Sequence, residues 1–353
     1  MAHIAVALVL ALAAGYLLTP AVGRLAVRVG ALDLPDARKL HSGPVPRLGG
    51  LAVYLAFLAG LFVSGTFDRE VWGLVTGATL VVLLGIADDI YHLPARAKLA
   101  GQIVAAAAAI PFGLQVEFLT NPLGPGLIHL GWWGVPLTIF WLVAVTNALN
   151  LIDGLDGLAA GTAVIAAVTL TAVAWTEGHA AATVPALILA AAALGFLRHN
   201  FHPAKIFLGD SGSMLLGFVL AGTAVIGLTK SATAVSLIIP ILILGIPLFD
   251  TAFAVLRRCY KRRPVFGPDR EHLHHRLLDA GLTHRRAVLV VYGVDGILGA
   301  SALLLNIVGT DRAVLVLVIL AVVLLTAADR IGVLGGRARG KAGMVEREEQ
   351  FRM

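Results

Sequence analysis

Charge is what this sequence has least of. Asp, Glu, Lys and Arg make up 14% of its 353 residues, while 58% are hydrophobic and the mean hydropathy is +0.89. An ordinary soluble domain is about 25% charged, so the composition excludes that class and points to a polytopic membrane protein. Cysteine is nearly missing as well. The single Cys259 excludes an intrachain disulfide, and its neighbours Arg257, Arg258 and Lys261 mark it as a reduced cytoplasmic thiol. No Lys or Arg precedes the first apolar run, MAHIAVALVLALAAGYLL, where a secretory signal carries positive charge. Arg24 and Arg28 follow it instead, so the run reads as a retained first span with its N-terminus outside. No internal repeat is visible either, which counts against an inverted-repeat transporter.

What is there is apolar and helical. In lipid, backbone groups must be satisfied within their own segment, so the spans are helices. Windows long enough to cross a hydrocarbon core of about 30 Å place eleven, with ten as the alternative count. They lie near 3–22, 48–66, 70–87, 98–113, 132–149, 157–175, 180–197, 212–229, 232–256, 287–307 and 311–328. Residues 1–329 then form one integral-membrane domain, and 330–353 a basic, disordered cytoplasmic tail. Of the 27 Lys and Arg residues, 24 fall in loops on one side of this arrangement; only Arg69, Lys230 and Arg312 fall on the other. Cytoplasmic loops carry the excess of Lys and Arg. The expected fold is therefore an all-α polytopic bundle, N-terminus outside and C-terminus cytoplasmic. The segment 114–131, containing Gly and Pro, is an external loop or hairpin.

Five polar stretches interrupt the apolar runs, all on the side that the cation count makes internal. They are DLPDARKLHSGPVPRLGG (33–50), ADDIYHLPARAK (87–98), NALNLIDGLDGLAAG (147–161), RHNFHPAKIFLGDSGS (198–213) and GPDREHLHHRLL (267–278). Asp88 and Asp89 are adjacent, so on a helix they point about 100° apart and do different jobs; a solvated helix end is the competing reading. Asn147, Asn150, Asp153 and Asp156 recur every third residue. This reads as a helix ending near Asn150, then a loop whose glycines let the backbone approach a ligand. A plain capping turn does not account for two amides and two carboxylates together. Asp210 is either an N-cap or a carboxylate placed for a magnesium–phosphate cluster. His272, His274 and His275, flanked by Arg270 and Arg276, suit a phosphate better than zinc, whose usual Cys or carboxylate partners are missing; a solvated basic loop is the alternative. With no activated Ser, Cys or Thr, the inventory suits Mg²⁺-assisted phosphoryl transfer.

In that order, the five stretches resemble the polyprenyl-phosphate N-acetylhexosamine-1-phosphate transferases, from about residue 33 to 278. The His-x-His-His pattern and PRLGG at 46–50 look like the branch that uses UDP-GlcNAc. The alternative branch, the phospho-MurNAc-pentapeptide translocases, typically carries three consecutive histidines. The resemblance implies transfer of N-acetylglucosamine-1-phosphate from UDP-GlcNAc to undecaprenyl or another polyprenyl phosphate at the bacterial cytoplasmic membrane, with release of UMP. It implies Mg²⁺, with Mn²⁺ able to substitute. Asp88, Asp89 and Asp210 form the catalytic set it implies, with Asp210, Asn150 and Asp89 at the metal. Asp153, Asp156, Asn200 and Phe207 fall to the uridine. His272, His274, His275 and Arg276 fall to the diphosphate and sugar, and Lys39, His41, Arg47 and Lys98 to the lipid phosphate. Asp88 is the family's proposed base, yet a phosphate monoester has a second pKa of about 6 and is mostly dianionic at neutral pH, so a positioning role for Asp88 is the open alternative. Partners are the two substrates and membrane lipids, without nucleic acid; a homodimer is the one assembly allowed for.

Three rival classes fit the residues less well. A CDP-alcohol phosphotransferase signature, D-x-x-D-G-x-x-A-R, is nearly met from Asp153, but Ala160 stands where Arg is needed. An ion-coupled transporter would place its acids near the bilayer midplane rather than at one face. A noncatalytic lipid-carrier scaffold would have lost carboxylates, and none is missing.

Overall fold

A computed structural model describes residues 2–34, 43–120, 126–228, 238–262, 272–308, 315–322 and 326. Lys39, His41, Arg270, the tail at 330–353 and parts of the last expected span lie outside them. The described helices are α1 (Ala2–Val29), α2 (Gly49–Ser64), α3 (Arg69–Tyr91), α4 (Ala95–Ala109), α5 (Gly134–Ile152), α6 (Leu158–Thr176), α7 (Ala180–Asn200), α8 (Gly209–Leu228), α9 (Ile238–Ile243), α10 (Gly245–Tyr260), α11 (Leu273–Asp279) and α12 (His284–Val308). Two antiparallel hairpins accompany them: β1 (Leu32–Asp33) with β2 (Val45–Pro46), and β3 (Phe118–Thr120) with β4 (Leu127–His129). The second falls inside the 114–131 segment, as a hairpin.

Among the described residues, seven helices are long and apolar enough to cross a membrane: α1, α3, α5, α6, α7, α8 and α12. The chain is a polytopic helical membrane protein. The single span expected over 232–256 differs: among its described residues the helix breaks at Leu244, between α9 and α10. Pro247 stands in the first turn of α10, where its missing N–H costs no helical bond but could not continue one from α9. α10 then turns Phe249, Phe253, Leu256 and Tyr260 outward, beside Arg257 and Arg258 in its last turn.

α8 is the axis of the bundle. Buried residues make up 94% of its spanning window, against 22% for the peripheral α1. Glycine makes that burial feasible. A Cβ on Gly50 of α2 would lie 2.0 Å from the Gly212 nitrogen, one on Gly85 of α3 2.3 Å from Ser211 Cα, and one on Gly217 of α8 2.6 Å from Thr146 Cα of α5. Close backbone approach through small residues is how membrane helices pack without a hydrophobic drive between them. Two of these contacts gather α2 and α3 around the amino end of α8, where the polar motifs meet.

Candidate active site

The amino end of α8 is built around a buried carboxylate. Asp89, in the last turn of α3, has a side chain that is 0% exposed. Its Oδ1 accepts the Asp210 N–H at 2.9 Å, and its Oδ2 accepts the Ser211 N–H at 3.1 Å and the Ser211 hydroxyl at 2.8 Å. Helix amino ends present N–H groups with no partner inside the helix, and Asp89 supplies one from a neighbouring helix. Gly209, at φ +74°, permits this approach, since a Cβ there would lie 2.6 Å from Asp89 Oδ2. Asp89 thus sets where the next carboxylate, Asp210, projects.

Two cations hold Asp210. Lys98 Nζ donates to Asp210 Oδ2 at 2.7 Å and to Asp88 Oδ2 at 3.0 Å. Arg47 lies 3.6 Å from Asp210 Oδ1, 3.3 Å from Asp89 Oδ1 and 3.6 Å from Asp33 Oδ1. Asp88 also accepts the Leu93 N–H through Oδ1 at 2.7 Å, so both its oxygens are engaged. The local backbone explains how Arg47 arrives: Phe207 N–H donates to the Pro46 carbonyl, and Gly49 and Gly50 N–H donate to the carbonyls of Phe207 and Leu208. PRLGG therefore lies against the segment leading into α8.

Asn150, in the last turn of α5, faces this cluster. Its Nδ2 donates to Ser213 Oγ at 2.8 Å, and that hydroxyl donates onward to the Gly209 carbonyl. Because the hydroxyl proton is spent on a carbonyl, the amide must present nitrogen to Ser213, which settles which way it points. Among the described residues, the amide oxygen carries no hydrogen bond. Gln102 and Asn147 exchange hydrogen bonds (2.6 Å in the shorter direction), and Gln102 Nε2 also reaches Met214 Sδ. That places Asn147 in helix packing, against Gln102, which lies one turn from Lys98 on α4.

Both Asn150 and Asp210 line a cavity of about 690 Å³, within the range of about 300–1,000 Å³ usual for small-molecule sites. Its lining also holds Asp153, Asp156, Asn200, His202, Phe207, His275 and His284. α5 ends at Ile152 and α6 begins at Leu158, so Asp153 and Asp156 sit on the loop between them. Burial, and then the charges of Asp210 and Asp89, push the Asp153 carboxyl up to about 8. Asn200 is spent within the protein: Oδ1 accepts the Gly157 N–H and Nδ2 donates to the Ile206 carbonyl. It ties the 153–157 loop to the 201–208 segment, and both contribute to the lining.

Relatives named as polyprenyl-phosphate N-acetylglucosamine-1-phosphate transferases match most of this chain. The model of the family described as glycosyl transferase family 4 matches residues 71–228. A Bacillus subtilis (strain 168) protein named "Probable undecaprenyl-phosphate N-acetylglucosaminyl 1-phosphate transferase" is 41% identical over 335 residues, covering 95% of this chain and 94% of the relative. The chain belongs to the polyprenyl-phosphate N-acetylhexosamine-1-phosphate transferases. The decaprenyl-phosphate N-acetylglucosaminephosphotransferase of Mycobacterium leprae is 39% identical over 81% of this chain and 80% of its own. An Escherichia coli K12 protein named undecaprenyl-phosphate alpha-N-acetylglucosaminyl 1-phosphate transferase is 28% identical over 76% of this chain and 74% of its own.

In this transferase the histidine motif divides. His275 lines the cavity. His272 and His274 are 6% and 5% exposed, and Arg276 is exposed on α11 away from the cavity lining. His272 Nδ1 bonds Asp250 Oδ2 at 2.8 Å, and the Leu273 N–H bonds Asp250 Oδ1 at 2.9 Å. Asp250 on α10 thus anchors the start of α11. His274 packs on the glycine loop, where a Cβ on Gly154 would lie 2.4 Å from its Nε2. Burial, reinforced by His275 and His272, lowers the His274 pKa to about 4. It is therefore neutral at physiological pH, a hydrogen-bonding group rather than the cation expected of the motif.

This shift carries a pH prediction. The folded state disfavours protonation of His274, while the unfolded chain takes up the proton near pH 6.5. The neutral ring's contribution is present above about pH 6.5 and is lost as the pH falls toward 4. His274→Gln should flatten the fall of Tm between those pH values; an unchanged slope in thermal scans of purified protein would remove this account.

Sequence reasoning passed over Asp250, His202, His284 and Ser213. Asp250 had a legible signal, an acid inside an apolar run. Ser213 and the two histidines had none, because their roles depend on partners far along the chain.

Proposed function

We propose that the chain transfers N-acetylglucosamine-1-phosphate from UDP-GlcNAc to undecaprenyl phosphate, as its relatives' names describe for undecaprenyl or decaprenyl acceptors, releasing UMP. The observation that carries this reading is one cavity whose lining brings Asp210 and Asn150 together with Asp156 and Phe207. Asp210 and Asn150 offer oxygens to a hard cation, and Phe207 and Asp156 offer a ring and a carboxylate to a nucleoside. In this proposal residues 1–329 are the catalytic domain, the N-terminus is outside, and the cavity opens to the cytoplasm, supported by the 24-to-3 split of Lys and Arg.

The donor atoms fit Mg²⁺, which takes oxygen ligands. Asp210 offers a carboxylate and Asn150 an amide oxygen whose direction Ser213 dictates. When bound, the ion would supply positive charge to the diphosphate. The remaining chemistry belongs to the side chains. Lys98 and Arg47 receive the lipid phosphate, and Phe207 with Asp156 holds the nucleoside. An oxygen of the lipid phosphate forms a bond to the β-phosphorus, the bond from that phosphorus to the bridging oxygen breaks, and UMP leaves with the electron pair. Asp88, with both oxygens engaged, orients Lys98 rather than removing a proton. Asp89 acts by placing Asp210, and His275 contacts the sugar diphosphate.

The test is incubation of purified protein with undecaprenyl phosphate and a panel of UDP-sugars, UMP release being measured with Mg²⁺, with Mn²⁺ and with EDTA. UMP should form with UDP-GlcNAc and either ion, and fall to background in EDTA. Full turnover in EDTA would refute the metal assignment, and preference for UDP-MurNAc-pentapeptide would move the chain to the translocase branch.

A further inference from the structure

We propose that His202 is a positioning residue that fixes Asp156 for selecting uracil over cytosine, and that the first turn of α12 holds His202 in place. The inference rests on the reading of Asp156 as a nucleoside contact. His202 Nδ1 donates to Asp156 Oδ2 at 2.7 Å, and the Ala204 N–H donates to the same oxygen at 3.0 Å. Two donors on one oxygen leave the carboxylate a single orientation. Among the described residues, Oδ1 carries no hydrogen bond, and Asp156 lines the cavity.

His202 is itself gripped twice from α12. The His284 ring stacks on it, centroids 4.1 Å apart and planes 20° from parallel. Arg285 donates to the His202 carbonyl through Nε at 3.1 Å and Nη2 at 2.9 Å. A helix that is distant in sequence thus sets the angle of the carboxylate.

Base chemistry turns that angle into selectivity. Uracil presents N3–H, a donor, between two carbonyls; cytosine presents a bare N3 acceptor beside an amino group. A fixed carboxylate oxygen pairs with the uracil N3–H and opposes the lone pair of cytosine N3. A carboxylate free to swing could reach the cytosine amino group instead. Sites that leave a buried polar group unpaired reject the wrong ligand strongly.

The ligand atoms of Asp156, His202 and His284 lie within 4.8 Å of one another, which raises a metal centre as the rival. The ring stack argues against it. An imidazole nitrogen binds a metal in its own ring plane at about 2.0–2.1 Å, and an ion in the plane of one stacked ring lies out of the plane of the other.

The experiment measures UMP and CMP binding by calorimetry to the purified full-length protein, with wild type, His202→Leu and His202→Asn. Wild type should bind CMP about 100-fold more weakly than UMP. In His202→Leu the UMP affinity should fall about tenfold, the loss of one charged-partner hydrogen bond, and the CMP-to-UMP ratio should drop below about ten. His202→Asn, whose amide N–H replaces Nδ1–H, should restore both. An unchanged ratio in His202→Leu, whatever happens to its thermal stability, overturns the proposal. So does one equivalent of Zn²⁺ bound by wild type and lost in both His202→Asn and His284→Ala. The underlying reading fails separately, if Asp156→Asn binds UMP as wild type does.

Discussion

Asp210→Asn is expected to lower UMP release by at least about 10³-fold while the protein folds and extracts as wild type does. Preorganised charge at a reacting centre commands effects of this size. Asp210 lies on the cavity, its two oxygens facing Lys98 at 2.7 Å and Arg47 at 3.6 Å. Asn preserves the shape and keeps one acceptor, but it removes the negative charge that a divalent cation needs and turns an N–H₂ toward a cation. Affinity for Mg²⁺, read by calorimetry without lipid substrate, should fall with the activity. Turnover near wild type in the purified variant would remove Asp210 from the centre of the mechanism. Loss of activity with unchanged Mg²⁺ affinity would shift the metal to other oxygens.

Asp89→Ala is expected to act on the fold before it acts on the chemistry. The substitution leaves two backbone N–H groups and the Ser211 hydroxyl without their acceptor, and strips Arg47 of one of its three carboxylates. Removing one partner of a buried ionic network costs about 3–5 kcal/mol. The amino end of α8 should loosen and Tm should fall by several degrees, with activity lost because Asp210 is no longer held. Asp89→Asn should be milder, since it keeps one acceptor oxygen. If Asp89→Ala kept its Tm and lost only activity, Asp89 would be a direct metal ligand, as the family resemblance implies, and the clamp reading would fall.

The contrast between these neighbouring carboxylates shows what one dimension carries. That Asp88, Asp89 and Asp210 were candidates was legible, because acids at the ends of apolar spans are costly and few and their motifs resemble the family's. Their division of labour was not. Asp89 meets Asp210 and Ser211 across more than a hundred residues, and only helix packing through Gly50, Gly85 and Gly212 brings those segments into contact. The histidine motif behaves alike: HLHHRL reads as a cationic patch, yet Asp250 and the glycine loop bury two of its three rings.

By itself the sequence determined the membrane class, the helical architecture and the residue types available for phosphate chemistry. Each follows from local chemistry: apolar length, backbone satisfaction in lipid, and the cost of charge within it. Tertiary structure alone decided which carboxylate faces the cavity and which one caps a helix. It also decided which way Asn150 points, where the 232–256 run breaks among its described residues, and how α12 reaches Asp156. Those depend on distances between segments remote in sequence, and a side chain's role follows from the partners that surround it.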